Sequence, residues 1–289
     1  MYIGRFAPSP TGPLHFGSLV TAVASYLDAR SNQGKWLLRM EDLDKPREVS
    51  GAAANILSTL EAYGFEWDDM IMYQSQRNDS YQCALATLQE MQYVYPCTCT
   101  RKEIADSSEK TGIEGVIYPK TCLHQAIKEH HPIAWRIKTQ DKSIHFNDVV
   151  YGDIKQNLHS EIGDFVLKRA DGQFAYQLAV VVDDAGQGVT NVVRGADLLN
   201  STTRQIYLLH LLGFAEPHYM HIPIVTNELG QKLSKQTLAK PILVNEASNS
   251  LWQALKFLNQ EPPESLKHES INQLWKWGIS HWQANSIIR

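Results

Sequence analysis

Arg5-Phe6-Ala7-Pro8-Ser9-Pro10-Thr11-Gly12-Pro13-Leu14-His15-Phe16-Gly17-Ser18 is a strand edge, a proline-stiffened loop and a helix start in fourteen residues. Residues 2–6 form the short apolar run of a strand, and Pro8, Pro10, Gly12 and Pro13 then break regular structure. From Gly17 onward, Leu19, Val20, Val23, Ala24 and Leu27 recur at helical spacing. Parallel sheets bind ligands outside the carboxyl ends of their strands, where this loop falls. Backbone N–H groups at the start of the helix attract phosphate. His15 adds a donor beside them, and Gly17, next to Ser18, leaves room for a base or ribose to approach. Taken alone, the stretch suits a stiffened turn around a buried histidine equally well.

Moving outward, residues 35–40 read as the next strand, and Ser50 as the N-cap of a helix carrying Ile56, Leu57 and Leu60 and ended by Gly64. Residues 80–91 suit a third helix, with Cys83 on its core face. This alternation favours a parallel, doubly wound sheet. Residues 97–132 interrupt it with cysteines, glycines and prolines, and short strand-like pieces follow at 134–137 and 165–167. The α/β pattern resumes with a strand at 191–194, a helix at 202–212 stopped by Gly213, the apolar run 222–225 and a turn at 227–230. The last fifty residues read as short helices holding Trp252, Trp275, Trp277 and Trp282, which suit packing better than base stacking. The expected fold is α/β: a Rossmann-like parallel sheet (1–95 and 186–240) split by an inserted mixed α+β domain (96–185), with a short helical C-terminal region (241–289).

Composition narrows the function. The chain has 289 residues, 43% of them apolar, with 27 basic against 31 acidic side chains and a net charge of −4. Those values exclude a disordered chain, a small disulfide scaffold and a uniformly basic protein, but not a local basic groove. Arg101, Lys102, Lys168 and Arg169 are candidates for such a groove. The most apolar run, 174–182, is interrupted by Gln177 and is too short to span a bilayer, and the first five residues lack a signal-peptide core. A cytoplasmic, membrane-free monomer is the expectation. In such a compartment Cys97, Cys99 and Cys122 suit a metal better than disulfides. A closed zinc site needs a fourth ligand, and on chemistry alone His124 is the natural choice.

Lys232-Leu233-Ser234-Lys235-Gln236 supplies the second phosphate signal. Two lysines on a polar loop could neutralise charge growing on an α-phosphate during in-line attack. A lone Lys-x-x-Lys is ordinarily a solvated loop; paired with the Arg5–Ser18 stretch it becomes specific. Together the two resemble the signature motifs of class I aminoacyl-tRNA synthetases. Leu38-Arg39-Met40-Glu41-Asp42-Leu43-Asp44 and Val193-Arg194-Gly195-Ala196-Asp197 narrow the resemblance to the glutamyl/glutaminyl branch. It covers roughly residues 1–240 by motif order and spacing, and the fifty residues beyond leave no room for a large anticodon-binding region. A synthetase core, an inserted cysteine cluster and a short tail resemble the truncated branch of that family, the glutamyl-Q tRNA(Asp) synthetases.

The resemblance implies activation of glutamate with ATP and magnesium in the absence of tRNA. The glutamate then passes to the queuosine base in the anticodon of tRNA(Asp). It implies a glutamate site of Arg5, Ala7, Ser9, Glu41, Tyr176 and Arg194, an ATP site of His15, Gly17, Ser18, Lys232 and Lys235, with His15 and Lys235 catalytic, and one structural zinc on Cys97, Cys99, Tyr118 and Cys122. An arginine fork grips a carboxylate through paired donors and rejects an amide, which presents donors of its own. Arg194 and Glu41 could instead form a structural ion pair. Two positions depart from the branch: Gln236 replaces a usual serine, and Val180 stands where full-length glutamyl-tRNA synthetases tend to carry asparagine. A minimal synthetase charging a tRNA 3′ end, a general nucleotidyltransferase and a non-catalytic tRNA-binding relic remain alternatives.

Overall fold

The computed structural model of the chain describes residues 1–226 and 240–289. Its first unit is β1 (Ile3–Phe6), α1 (Phe16–Ser31), β2 (Lys35–Met40), α2 (Ala52–Ala62) and β3 (Met72–Tyr73), with the three strands parallel in that order. The helix start expected at Gly17 lies one residue earlier, with His15 as N-cap and its Nδ1 accepting the Ser18 N–H at 3.3 Å. Ser50 does not cap α2. Gly51 does, at φ 77° and without a side-chain bond, a backbone conformation that glycine adopts without steric cost.

The chain continues through α3 (Asn78–Glu90), β4 (Val94–Cys97), α4 (Arg101–Ser107), β5 (Thr111–Gly112), β6 (Gly115–Val116), α5 (Thr121–His124) and β7 (Ala134–Ile137). It then forms β8 (Ser143–Asp148), β9 (Gly152–Asn157), α6 (Leu158–Glu161) and β10 (Val166–Lys168). β4, β7 and β10 make an antiparallel sheet in the order β10-β7-β4. Cys83 lies on α3 as expected, but it is exposed and contributes nothing to the core.

The last strands of the parallel architecture come after α7 (Tyr176–Gly186): β11 (Asn191–Gly195), α8 (Thr202–Leu212) and β12 (His218–Ile222). β12 ends at Ile222, so the apolar run 222–225 shares only its first residue with the strand. β11 and β12 are parallel, β12 is parallel to β8, and β9 closes the order β11-β12-β8-β9. β11 runs beside β1: Thr190 N–H donates to the Ile3 carbonyl, and Ile3 N–H to Thr190 Oγ1, both at 2.9 Å. The carboxyl ends of β1 and β11 are thereby neighbours, and side chains leaving them converge.

The C-terminal residues form α9 (Ala247–Phe257) and α10 (Ile271–His281), packed on α1. Trp252 and Trp275 are buried, and Trp275 donates to the Tyr63 carbonyl at 2.9 Å while stacking edge-on against Tyr26 and Phe65. Trp282 donates to Asp28 at 2.9 Å. These tryptophans hold the tail to the core. Burying an aromatic side chain contributes about 1.5–3 kcal/mol. No described helix is long and apolar enough to cross a membrane.

Candidate active site and metal centre

β1 ends in Arg5 and Phe6, and Arg5 is 3% exposed. Its Nε and Nη2 donate to the two oxygens of Asp184 at 3.0 and 3.3 Å, and its Nη1 to the Val193 carbonyl at 3.5 Å. Asp184, on α7, also meets Nη2 of the fully buried Arg39 at 2.8 Å. Arg39 in turn donates through Nη1 to Gln187 at 2.7 Å and lies 3.6 Å from Glu41. Burial works against the Asp184 carboxylate, but the Arg5 and Arg39 guanidiniums hold its pKa below the usual value. The neighbouring Asp183 accepts from Gln74, Arg77 and Tyr81, at 2.9, 3.2 and 2.7 Å.

Glu41 follows β2, and its N–H donates to the Pro8 carbonyl at 3.0 Å, tying the loop after β1 to the one after β2. Ser9 and Glu41 consequently line one cavity of about 150 Å³, whose other charged walls are Asp42, Asp44, Arg47 and Glu48. Ala7 sits between that loop and β1. Burial raises the Glu41 pKa to about 7, against the pull of Arg39 and Arg5 and with the push of Asp184 and Asp183. A carboxylate whose ionisation burial opposes this strongly suits a cationic ligand group.

Arg194, near the end of β11, is 4% exposed. Its Nε donates to His221 Nε2 at 3.0 Å, Nη1 to Gln205 at 2.8 Å and Tyr176 OH at 3.5 Å, and Nη2 to Thr202 at 2.8 Å and the Leu198 carbonyl at 3.4 Å. These partners are all uncharged, and among the described residues no carboxylate stands at ion-pair distance. The alternative of an Arg194–Glu41 structural ion pair is therefore not what the structure contains; Glu41 pairs with Arg39. Burial raises the Tyr176 phenol pKa; Arg194 opposes it, and Glu41 adds to it. Arg5, Glu41, Tyr176 and Arg194 thus share one electrostatic environment.

At the start of α1, His15 Nδ1 is committed to the Ser18 N–H, and its Nε2 lies 3.2 Å from Ser18 Oγ. Gly17 and Ser18 form the first turn. Pro241 pairs with His15, and Ile242 N–H donates to the Leu14 carbonyl at 3.0 Å. Lys232, Lys235 and Gln236 lie outside the described residues. Val180 is buried on α7 one turn beyond Tyr176. Of the basic candidates, Arg101 and Lys102 are exposed on α4, whereas Lys168 donates to Gln82 and lies over Phe174, and Arg169 pairs with Asp171.

The sulfur atoms of Cys97, Cys99 and Cys122 all lie within 4.8 Å of one another. Tetrahedral zinc at ~2.3 Å from sulfur places its ligand atoms roughly 3.8 Å apart, so the donor set fits that ion. The Tyr118 hydroxyl is 3.4 Å from Cys97 Sγ and 3.5 Å from Cys99 Sγ, while His124, closing α5, is outside the group. Packed together, these acids split their protons unevenly. Burial and neighbouring thiols push Cys99 up to about 11; burial also acts on Cys122, but Tyr118 and the Thr98 backbone bring it down to about 7. The Arg136 guanidinium stacks 4.1 Å from the Tyr118 ring centre and donates to Cys97 Sγ at 3.3 Å.

Sequence reasoning did not single out Asp184, His221, Gln205 or Thr202. The available signal for the first was an aspartate pair, Asp183-Asp184, closing an otherwise apolar run.

Residues 3–259 match the family described as class I tRNA synthetases (E and Q), catalytic domain. The chain is 52% identical to the glutamyl-Q tRNA(Asp) synthetase of Aromatoleum aromaticum, over all of this chain and 91% of that protein. It is also 52% identical to that of Dechloromonas aromatica, over 100% and 96%. Among solved structures it is similar to a glutamate-tRNA synthetase from Elizabethkingia anophelis, with TM-score 0.80 and 25% identity over 99% of this chain. The chain spans 66% of that longer protein.

Proposed function

The chain belongs to the class I tRNA synthetases of the glutamyl and glutaminyl branch, and on that premise we propose that it activates glutamate with ATP and transfers it to the queuosine base in the anticodon of tRNA(Asp). The observation that carries the amino-acid assignment is the charge arrangement: a buried Arg194 whose described partners are neutral, and a Glu41 with a raised pKa, both close enough to act on Tyr176. A substrate with a side-chain carboxylate and an α-ammonium satisfies both at once, and an uncompensated buried charge is costly without it. The 52%-identical relatives support the queuosine acceptor.

In the first step an α-carboxylate oxygen of glutamate attacks the α-phosphorus of ATP, the bond to the bridging oxygen breaks, and pyrophosphate leaves. Magnesium, when bound with ATP, neutralises phosphate charge. Arg5 and Arg194 position the carboxylates, Glu41 the ammonium, and Ser9, Ala7 and Tyr176 complete the pocket. His15, Gly17 and Ser18 face the nucleotide, and Lys232 and Lys235 stabilise the charge developing on the α-phosphate; His15 and Lys235 act directly in that step. In the second step a hydroxyl of the queuosine ring attacks the activated carbonyl, AMP leaves, and the hydroxyl proton passes to solvent. Residues 1–95 and 186–240 would form the Rossmann-like catalytic domain, 96–185 the inserted domain and 241–289 the helical C-terminal region. The β8-β9 pair extends the β11-β12 sheet, and on these bounds it would tie the insertion to the catalytic unit. Cys97, Cys99, Tyr118 and Cys122 would hold one structural zinc that shapes the loop facing the RNA.

ATP–pyrophosphate exchange across the amino acids without tRNA tests the activation step, with exchange expected for glutamate. Exchange driven by aspartate or glutamine instead would overturn the assignment of Arg5 and Arg194. Labelled glutamate should then appear on tRNA(Asp) only when the tRNA carries queuosine, and charging that survives its loss would overturn the acceptor. About one zinc per chain is expected by metal analysis, and Cys122→Ser should lose it.

A further inference from the structure

Asp148 and His221 are 1% and 0% exposed, and neither has a part in the activation or transfer chemistry. Asp148 ends β8, and the parallel register sets it opposite Tyr219 on β12, two residues before His221. One carboxylate oxygen accepts the N–H groups of Val150 and Tyr151, at 3.0 and 2.9 Å. The other accepts the His221 backbone N–H at 3.0 Å and faces its Nδ1 at 2.6 Å. A carboxylate accepts, so Nδ1 carries the ring proton and Nε2 keeps its lone pair. That lone pair is where Arg194 Nε donates, at 3.0 Å, with the Thr202 hydroxyl at 3.2 Å. A guanidinium can only donate; the opposite tautomer would set N–H against N–H. Burial also lowers the His221 pKa to about 4, with Arg194 and Arg5 acting in the same direction and Asp148 opposing them. The imidazole therefore meets Arg194 as a neutral acceptor.

We propose that the Asp148–His221 pair is the positioning device for Arg194, fixing its guanidinium with a lone pair instead of a charge and so leaving its positive charge to the substrate's side-chain carboxylate. An aspartate in direct contact with Arg194 would orient it as well but would also neutralise it. Relaying the aspartate through an imidazole separates orientation from neutralisation. This inference rests on the reading that Arg194 meets that carboxylate.

Two substitutions and one spectrum test it. His221→Leu keeps bulk but removes the acceptor; His221→Gln returns an amide oxygen near the Nε2 position. In glutamate-dependent pyrophosphate exchange, H221L should raise the glutamate KM at least about tenfold, the loss expected for a charged hydrogen bond. Its kcat and ATP KM should hold within a few-fold, and its preference for glutamate over glutamine should shrink. H221Q should recover most of the lost KM. An unchanged glutamate KM in H221L, an equal rise for both substrates, or no recovery in H221Q would overturn the proposal. Nitrogen-15 spectra of the wild-type imidazoles need no variant: His221 should be a neutral Nδ1–H tautomer at pH 7, and an Nε2–H tautomer or imidazolium would overturn the proposal even if H221L fails to fold. Absence of glutamate-dependent exchange in the wild type would instead sink the reading of the site, while the spectrum still judges the Asp148–His221–Arg194 chain.

Discussion

Strands β1 and β11 each carry a buried arginine near their carboxyl ends, and they hold it by opposite means. On the β1 side Arg5 is clamped by Asp184, which also serves Arg39, so the wall is ionic and the Arg5 fork is already met by a carboxylate. On the β11 side Arg194 is held by an imidazole, an amide, two hydroxyls and a carbonyl, and its charge is left over. An ionic clamp gives rigidity at the expense of appetite for another anion; a neutral cradle gives orientation and preserves that appetite. On the proposed reading of the site, the β1 side would mainly hold geometry and the β11 side would mainly choose the substrate.

Removing the choosing group should have the largest effect. Arg194→Ala is expected to lower kcat/KM for glutamate activation about a thousandfold, or ~4 kcal/mol, the upper range for truncating a buried charge partner. Preference over glutamine should vanish, and ATP affinity, read by isothermal titration, should stay within about twofold. A surviving preference would mean that the neutral cradle is not the selective wall. Asp184→Asn should do the reverse. It strands Arg5 and Arg39 without their shared carboxylate, and breaking a buried pair costs about 3–5 kcal/mol, measurable as a lower urea midpoint. R194A should cost less stability, because it strands neutral groups at about 1–3 kcal/mol. In D184N the glutamate-to-glutamine ratio should hold, and a collapse of that ratio would erase the contrast between the walls.

This contrast was only half legible in the sequence. The strand at 35–40 and the helix at 202–212 stand out because an apolar run and a terminal glycine mark their limits, and Gly213 indeed adopts φ 69°. Arg5 and Arg194 could be named through the motifs that carry the family resemblance. α7 lacked a comparable signal. Leu178, Ala179, Val180, Val181 and Val182 are all buried, so no polar face produces a helical period over that run. With that helix unread, Asp183 and Asp184 had no place to be assigned. The His221–Asp148 link was hidden for a different reason: its partners are 73 residues apart and meet only through a parallel register between β8 and β12. At the cysteine cluster, spacing sufficed for three cysteines; chemistry alone favoured His124, whereas the resemblance implied Tyr118, and it is the Tyr118 hydroxyl that lies beside the sulfurs. The apolar run at 222–225 pointed past the strand because β12 begins earlier, with His218 and His221 as polar members of a mostly buried strand.

Glu41 feels Arg39, Arg5 and the aspartates of the β1 side through its proton, and on the proposed reading it receives the substrate ammonium. Its carboxyl has a pKa of about 7 without substrate, raised chiefly by burial. A protonated carboxyl cannot pair with an ammonium, so glutamate affinity is full above that pH and lost as pH falls through it. The glutamate KM should rise toward about tenfold per pH unit below 6, with little change above 8. Glu41→Gln should flatten the profile and raise the KM at pH 8 about tenfold, the lower end for a charged hydrogen bond. A flat wild-type profile between pH 5.5 and 8 would place the ammonium elsewhere.

The smallest effect should come from Tyr176, whose hydroxyl lies 3.5 Å from Arg194 Nη1, at the limit of hydrogen bonding. Tyr176→Phe removes one weak neutral contact and keeps the ring at the start of α7, so it should raise the glutamate KM less than about fivefold, near 1 kcal/mol or below. It should leave the preference over glutamine standing, because an uncharged hydroxyl can donate to an amide oxygen or to a carboxylate alike. If Y176F instead lost that preference as completely as R194A, selection would reside in the phenol, and the uncompensated charge of Arg194 would no longer explain it.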